Sequence, residues 1–236
     1  MPLATFAQEA DVVEEVQEAL APKEKVPLLA GVAVSADLCG LFMKVTNSRF
    51  ANMEAACRLD FKEKYFPVFE MGIGDCKREG GDNNNSFSTT APYFRVGMDY
   101  NFNRKHNGNR LMGGIRYGFT SFKYDFQNPD FQDPVWGSSQ KGLDLRGQQG
   151  RAQWLEFTVG CETKIWSFIR LGWNLRFKAR LHQKKSEFGE PYYIPGFGKN
   201  GSSTFGGTVN LIFDVGRTSK KNKVIDVGKT LIKNNQ

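Results

Sequence analysis

Apolar and polar residues alternate with a period of two along most of this chain. Between Ile169 and Leu181 every odd position is apolar, while the even positions carry Arg170, Arg176, Lys178 and Arg180. Such a segment is a β-strand with an apolar face and a cationic one. It is also longer than an ordinary globular strand.

Seven further segments share the pattern. The first sets Leu28, Ala30, Val32, Val34 and Ala36 against Ser35 and Asp37; the second sets Met53, Ala55, Cys57, Leu59 and Phe61 against Glu54, Arg58 and Asp60. In the third, Pro67, Phe69, Met71 and Ile73 oppose Glu70; in the fourth, Phe94, Val96, Met98 and Tyr100 oppose Arg95 and Asp99. The fifth sets Leu111, Ile115, Tyr117 and Phe119 against Arg116, and the sixth sets Leu155, Phe157, Val159 and Cys161 against Trp154, Glu156 and Glu162. The 169–181 segment is the seventh, and the eighth sets Val209, Leu211, Phe213 and Val215 against Asn210 and Asp214. The pattern predicts eight strands, each with one charge-free face.

Connections alternate in length. Short turns fall around Lys62 to Lys64, Arg104 to Asn109 (with an Asn107-Gly108 turn) and Thr163 to Ser167. Longer loops are predicted at Gly40 to Arg49, Lys77 to Thr90, Asn128 to Gln153 and His182 to Ser203. This rhythm, with an even strand number, predicts an all-β fold. It is an eight-stranded antiparallel up-and-down transmembrane β-barrel with short periplasmic turns and longer extracellular loops.

The polar faces carry acids (Asp37, Glu54, Asp60, Glu70, Asp99, Glu156, Glu162, Asp214) and bases (Arg58, Arg95, Arg116, Arg170, Arg176, Lys178, Arg180) in near balance. Facing one another inside a narrow barrel they form a luminal charge network, and inward glycines leave room for their length. A plugged interior follows. Alternation is equally compatible with a soluble lipocalin-like ligand carrier, in which the apolar face points inward. The large aromatics on long apolar faces, and a polar face of charge and glycine instead of Ser and Thr, favour lipid outside. Tyr93, Tyr100, Tyr117, Tyr124, Trp154 and Trp166 include residues near segment ends and fit interface girdles in part, with Trp173 as lipid-facing bulk.

Composition sharpens this little. Mean hydropathy of −0.46 argues against helical membrane spans. The net charge of +7 is concentrated from Arg217 onward, where six Lys or Arg face one Asp, so no nucleic-acid face is expected. Residues 1–7 (MPLATFA) read as the remnant of a signal peptide, and 8–27 as an acidic periplasmic tail with one short helix over 11–20. The barrel is expected over 28–215, followed by a basic periplasmic tail over 216–236.

Together these features resemble the small outer-membrane β-barrel proteins of Gram-negative bacteria. The Asn- and Gly-rich loops and lysine-rich extension are most similar to a largely uncharacterised Bacteroidota family. The resemblance implies residence in the outer membrane, with outer-membrane lipid and envelope proteins as partners. It departs in one respect: such barrels often end in a carboxy-terminal aromatic, whereas here Phe213 is followed by more than twenty residues.

Candidate chemistry is sparse. His182, Ser186 and Glu187 have the residue types of acyl transfer, the basis for an alternative reading as a lipid A acyltransferase or deacylase. Such residue types are commonplace in a polar loop, and no enzyme is expected. Two histidines argue against a metal centre, and no cofactor is expected. Phe131, Val135 and Trp136 form an apolar patch suited to contacting a partner. Of four cysteines, Cys57 and Cys161 fall on the lipid-facing side; Cys39 and Cys76 could bridge near the outer rim, although unpaired thiols fit the pattern better.

Overall fold

Eight strands form one closed antiparallel ring: β1 (Leu29–Asp37), β2 (Phe50–Phe61), β3 (Tyr65–Arg78), β4 (Ser86–Asn101), β5 (Arg110–Asn128), β6 (Leu143–Lys164), β7 (Ile169–Lys184) and β8 (Ser203–Val215). The structure, a computed structural model, describes residues 28–46, 48–80, 85–103, 109–128, 131–132, 139–140, 142–184 and 190–215. The two tails and the Asn107-Gly108 turn lie outside them.

Each strand pairs with its sequence neighbour, and β1 closes on β8 through Ala33 opposite Asp214. The ladder can be followed inward residue by inward residue, from Thr204 through Lys178, Glu156, Arg116, Gly97, Val68, Arg58 and Ala33. It returns to β8 at Asp214, ten residues beyond its start. That stagger tilts the strands steeply, and eight strands leave an interior just wide enough for side chains.

The faces point as the charges require. Phe69, Met71, Val96, Met98, Ile115, Phe157, Val159, Trp173 and Leu175 are exposed around the outside, whereas Arg58, Glu70, Arg95, Asp99, Arg116, Glu156, Glu162 and Arg176 are buried inside. This is the reverse of a lipocalin-type interior.

Toward the long-loop end the strands reach further than predicted. β4 starts at Ser86, β5 runs to Asn128 and β6 begins at Leu143, all within segments expected to be loops or left unassigned. The alternation persists there with its sense inverted. Phe87, Ala91, Phe122, Tyr124 and Ala152 now point inward and are buried, while Ser88, Lys123 and Arg151 point outward. A search for a charge-free outer face stops at this inversion. Tyr93, Tyr124 and Trp154 belong to the inner apolar set, so the girdle reading fails for them; Tyr100, Tyr117, Trp166 and Trp173 do face outward.

One local structure at this point was not anticipated, and another falls where a short turn was expected. Helix α1 (Leu38–Val45) replaces the start of the loop after β1; Asp37 caps it by accepting from the Cys39 and Gly40 amides at 3.0 and 3.2 Å. A Cβ at Gly40 would lie 1.7 Å from the Asn52 carbonyl oxygen, so only glycine lets the helix approach β2 this closely. The β2–β3 turn places Lys62 and Glu63 both at positive φ, 53° and 55°. The three-residue connection, Lys62 to Lys64, follows the twist of the flanking strands through these two residues. The Asp60 carboxylate, 2.9 Å from the Glu63 amide, supports it.

Candidate functional site

The lumen holds one dense ionic assembly. Glu70 on β3 meets guanidiniums from three other strands, Arg95 at 3.1 Å, Arg116 at 2.5 Å and Arg176 at 2.8 Å. Glu54 pairs with Arg95 and, at 2.7 Å, with Arg176; Glu156 faces Arg95 at 2.7 Å and Arg176 at 3.6 Å. Toward the short-turn end Arg58 pairs with Glu162, Arg116 with Asp99 at 2.9 Å, Arg110 with Asp60 at 3.0 Å and Arg170 with Asp214 at 2.7 Å. With Lys178, 4.0 Å from Glu156, seven carboxylates and seven cations make up this set among the described residues.

Two expected members stand elsewhere. Asp37 points into the lumen but directs its carboxylate at the α1 amides. Arg180 sits at the long-loop rim, bonded to Gln183 and Asn200 and 3.9 Å from Glu190. The β6–β7 register shift explains the second case: Trp154 pairs with Arg180 and Gln153 with His182, leaving Leu181 as the extra residue where the ionic layer ends. Arg110, which the sequence reading omitted, joins the network because β5 starts one residue earlier than its apolar face indicates.

Above the ions lies an apolar seal. Cys76, Phe87, Ala91, Tyr93, Phe122, Tyr124, Ala152 and Trp154 from the strands pack with Tyr193, Ile194 and Phe197 from the β7–β8 connection. Residues 193–194 pair with 198–199 in a miniature hairpin whose tip dips into the barrel. Gly196 makes this possible: its φ is +81°, and a Cβ there would lie 2.4 Å from Tyr93 Cγ. Its carbonyl accepts from Arg95 at 2.9 Å and Lys178 at 2.7 Å, so the plug rests directly on the charges. Trp154 links the layers by donating from its indole nitrogen to Glu156 at 2.6 Å, and the Tyr93 hydroxyl donates to Glu54 at 3.1 Å. The signal for this plug was the run Tyr192-Tyr193-Ile194-Pro195-Gly196-Phe197, an apolar cluster inside a loop read for its length and its polar residues.

Small inward residues face the large ones. A Cβ on Gly118 would stand 2.3 Å from Trp154 Cε2, and one on Gly72 would stand 2.4 Å from the Tyr93 ring. Gly118→Val is expected to lower barrel stability by about 1 to 3 kcal/mol through overpacking. Gly206→Ala meets only Lys178, its Cε at 3.5 Å, and should leave the urea midpoint in place. Equal midpoints for the two variants would contradict the packing described.

The void beside Ser35, Asn174 and Asn210 has no volume open to a water-sized sphere. Every carboxylate of the network faces a cation, which locks strands together and does not free a base for proton transfer. Outside the lumen, Arg146 lies 3.0 Å from Asp144 in full solvent. Its hydrogen bond holds the Asp144 carboxyl below its usual range, yet a pair so exposed adds little.

The remaining candidates do not assemble. His182 is exposed at the upper end of β7, while Ser186 and Glu187 lie outside the described residues. So do Val135, Trp136 and the Phe131 side chain, although Phe131–Gln132 pairs with Ser139–Gln140. All four cysteines are free thiols, including Cys39 and the buried Cys76. Among the described residues no three His, Cys, Asp or Glu side chains are placed to hold a metal ion.

Residues 2–214 match the family described as Domain of unknown function (DUF6048). No curated protein matches the sequence significantly. Among solved structures, the chain is similar to Ail, the attachment invasion locus protein of Yersinia pestis, crystallised with the heparin analogue sucrose octasulfate. The two are 9% identical, with 78% of this chain and 93% of that one covered and a TM-score of 0.36. It is also similar to a major outer membrane protein from Thermus thermophilus, at 9% identity, 78% and 97% coverage and a TM-score of 0.39.

Proposed function

The chain belongs to the DUF6048 family, and from that premise and its own geometry we propose that it is an outer-membrane barrel with a sealed lumen, a structural or interaction component of a Gram-negative cell envelope. The observation that carries this reading is the inversion of a soluble fold: paired charges fill the interior while large apolar side chains ring the exterior. Water gives such a surface no reason to exist, since contiguous apolar patches on soluble monomers are limited to a few hundred Å². A bilayer does, and the outward belt matches the apolar band of lipid-spanning barrels. Ionic pairing below and the Tyr193–Phe197 plug above support a barrel that conducts nothing. Partner contacts fall to the loops and to the acidic and basic tails, whose removal should change the envelope proteins that co-purify.

The test has three readouts. The protein should fractionate with outer membranes, and unboiled samples should migrate faster on gels than boiled ones. Reconstituted in planar bilayers, it should add no current above that of the lipid alone. Solubility without detergent would refute the membrane reading; discrete conductance steps would refute the seal.

A further inference from the structure

On the outer wall the β4–β5 ladder is interrupted. Paired residues run up to Tyr93 opposite Thr120 and resume at Thr89 opposite Tyr124, leaving Thr90 to Pro92 without partners on β5 although they still pair with β3. Proline has no amide hydrogen to offer. Inward hydroxyls take up carbonyls left there: Thr120 donates to the Pro92 carbonyl and Thr89 to that of Lys123, both at 2.8 Å.

Over this seam lies a groove of about 300 Å³, bordered by Pro92, Phe94, Phe119, Ser121, Arg151 and Gln153. Its lower half is aromatic, Phe94 stacking on Phe119 at 5.5 Å and on Phe69 at 6.4 Å. Its upper half is polar, because the groove straddles the level at which the outer face changes from apolar to polar.

The charges at that level are unbalanced. Arg151 on β6 stands directly opposite Lys184 on β7, and Lys123 lies diagonally across the β5–β6 ladder, opposite Gln149. Like charges facing each other across a ladder are destabilising. Among the described residues no carboxylate forms an ion pair with any of the three, in contrast to the paired cations of the lumen.

We infer that this groove is a binding site for a phosphate-bearing membrane lipid. One acyl chain lies along Phe69, Phe94 and Phe119, and the phosphate is held by Arg151 with Lys184 and Lys123. The inference rests on the membrane reading above. Guanidinium suits it, since its fork meets phosphate oxygens in pairs. The interrupted ladder gives the chain a recess where a continuous sheet would present a ridge.

The test uses the full chain in nanodiscs of phosphatidylcholine doped with phosphatidic acid, with the lipids retained after release counted by native mass spectrometry. The wild-type protein should retain phosphatidic acid preferentially. R151Q/K184Q should reduce that preference roughly tenfold, equivalent to about 1.4 kcal/mol. K64Q/K164Q, with the same charge change at the short-turn end, should leave it intact. S121W fills the groove without altering charge and should lower retention of both lipids.

Equal preference in the wild type and R151Q/K184Q, or equal loss in K64Q/K164Q, would overturn the site. Release of the anion preference by inorganic phosphate together with indifference to S121W would also overturn it, leaving a soluble-anion site. A protein that enters nanodiscs without any lipid preference refutes this inference alone. One that never enters them refutes the membrane reading as well.

Discussion

Glu70→Gln is expected to destabilise the folded barrel by about 3 to 5 kcal/mol, the usual cost of removing one partner from a buried ion pair. Glu70 is 2% exposed and is shared by Arg95, Arg116 and Arg176, so its neutralisation leaves three guanidiniums competing for the remaining acids. Glu54 and Glu156 already serve two of those arginines, and neither reaches Arg116 within ion-pair distance. Urea unfolding from lipid vesicles, followed by tryptophan fluorescence, measures the loss. The double variant Glu70→Gln, Arg176→Gln should recover part of it, because one surplus cation leaves with the missing anion. Strict additivity of the two single effects would mean that Glu70 and Arg176 do not interact, contrary to their 2.8 Å contact.

Val159→Arg should cost about 2 to 4 kcal/mol in the same assay, the penalty for a cation near the middle of a lipid-facing band. Val159 is 60% exposed and stands opposite Leu175, itself 58% exposed, on the outer wall. In a water-soluble barrel an arginine on so open a position would be close to neutral. The substitution therefore distinguishes lipid from water as the medium around the belt, independently of fractionation. Arginine at Ser121, already at the polar edge of the belt, should have a much smaller effect. Equal costs at the two positions would argue against a membrane centred on Val159.

Strand number, direction and inward residues were legible because a period of two survives any register, and because within the belt no charge falls on the outward face of any strand. The short turns alone identified three neighbouring pairs, β2–β3, β4–β5 and β6–β7. What escaped the sequence lay beyond the belt, where alternation continues but inside and outside exchange chemistry. There Phe122 and Tyr124 point inward although the same strand's Phe119 points outward. Tyr93 and Trp154 were misjudged for a related reason: aromatic residues near strand ends belong equally well to a girdle or an inner seal, and only the glycines opposite them, Gly72 and Gly118, separate the two. The plug was invisible as topology, since the Tyr193 to Phe197 segment turns inward through contacts with Arg95, Lys178 and Asn52, all distant in sequence. Asp37 was assigned by its face when its position before an apolar run marked a helix cap.

The ionic lumen also bears on how the chain reaches its fold. Arg58 and Glu162 are 104 residues apart, Arg176 and Glu70 are 106 apart, and Arg176 and Glu54 are 122 apart. None of these contacts can form within a single hairpin; they await the meeting of β1 with β8. In the proposed membrane setting the nascent sheet would until then present bare guanidiniums and carboxylates to hydrocarbon, so partly assembled forms would be penalised and closure would be steeply cooperative, at the slow rates of long-range topologies. A two-residue slip between β1 and β8 would keep every face correct yet carry Glu54 and Arg58 out of line with Arg176 and Glu162 across the lumen, so the same charges act as a proofreading device for register.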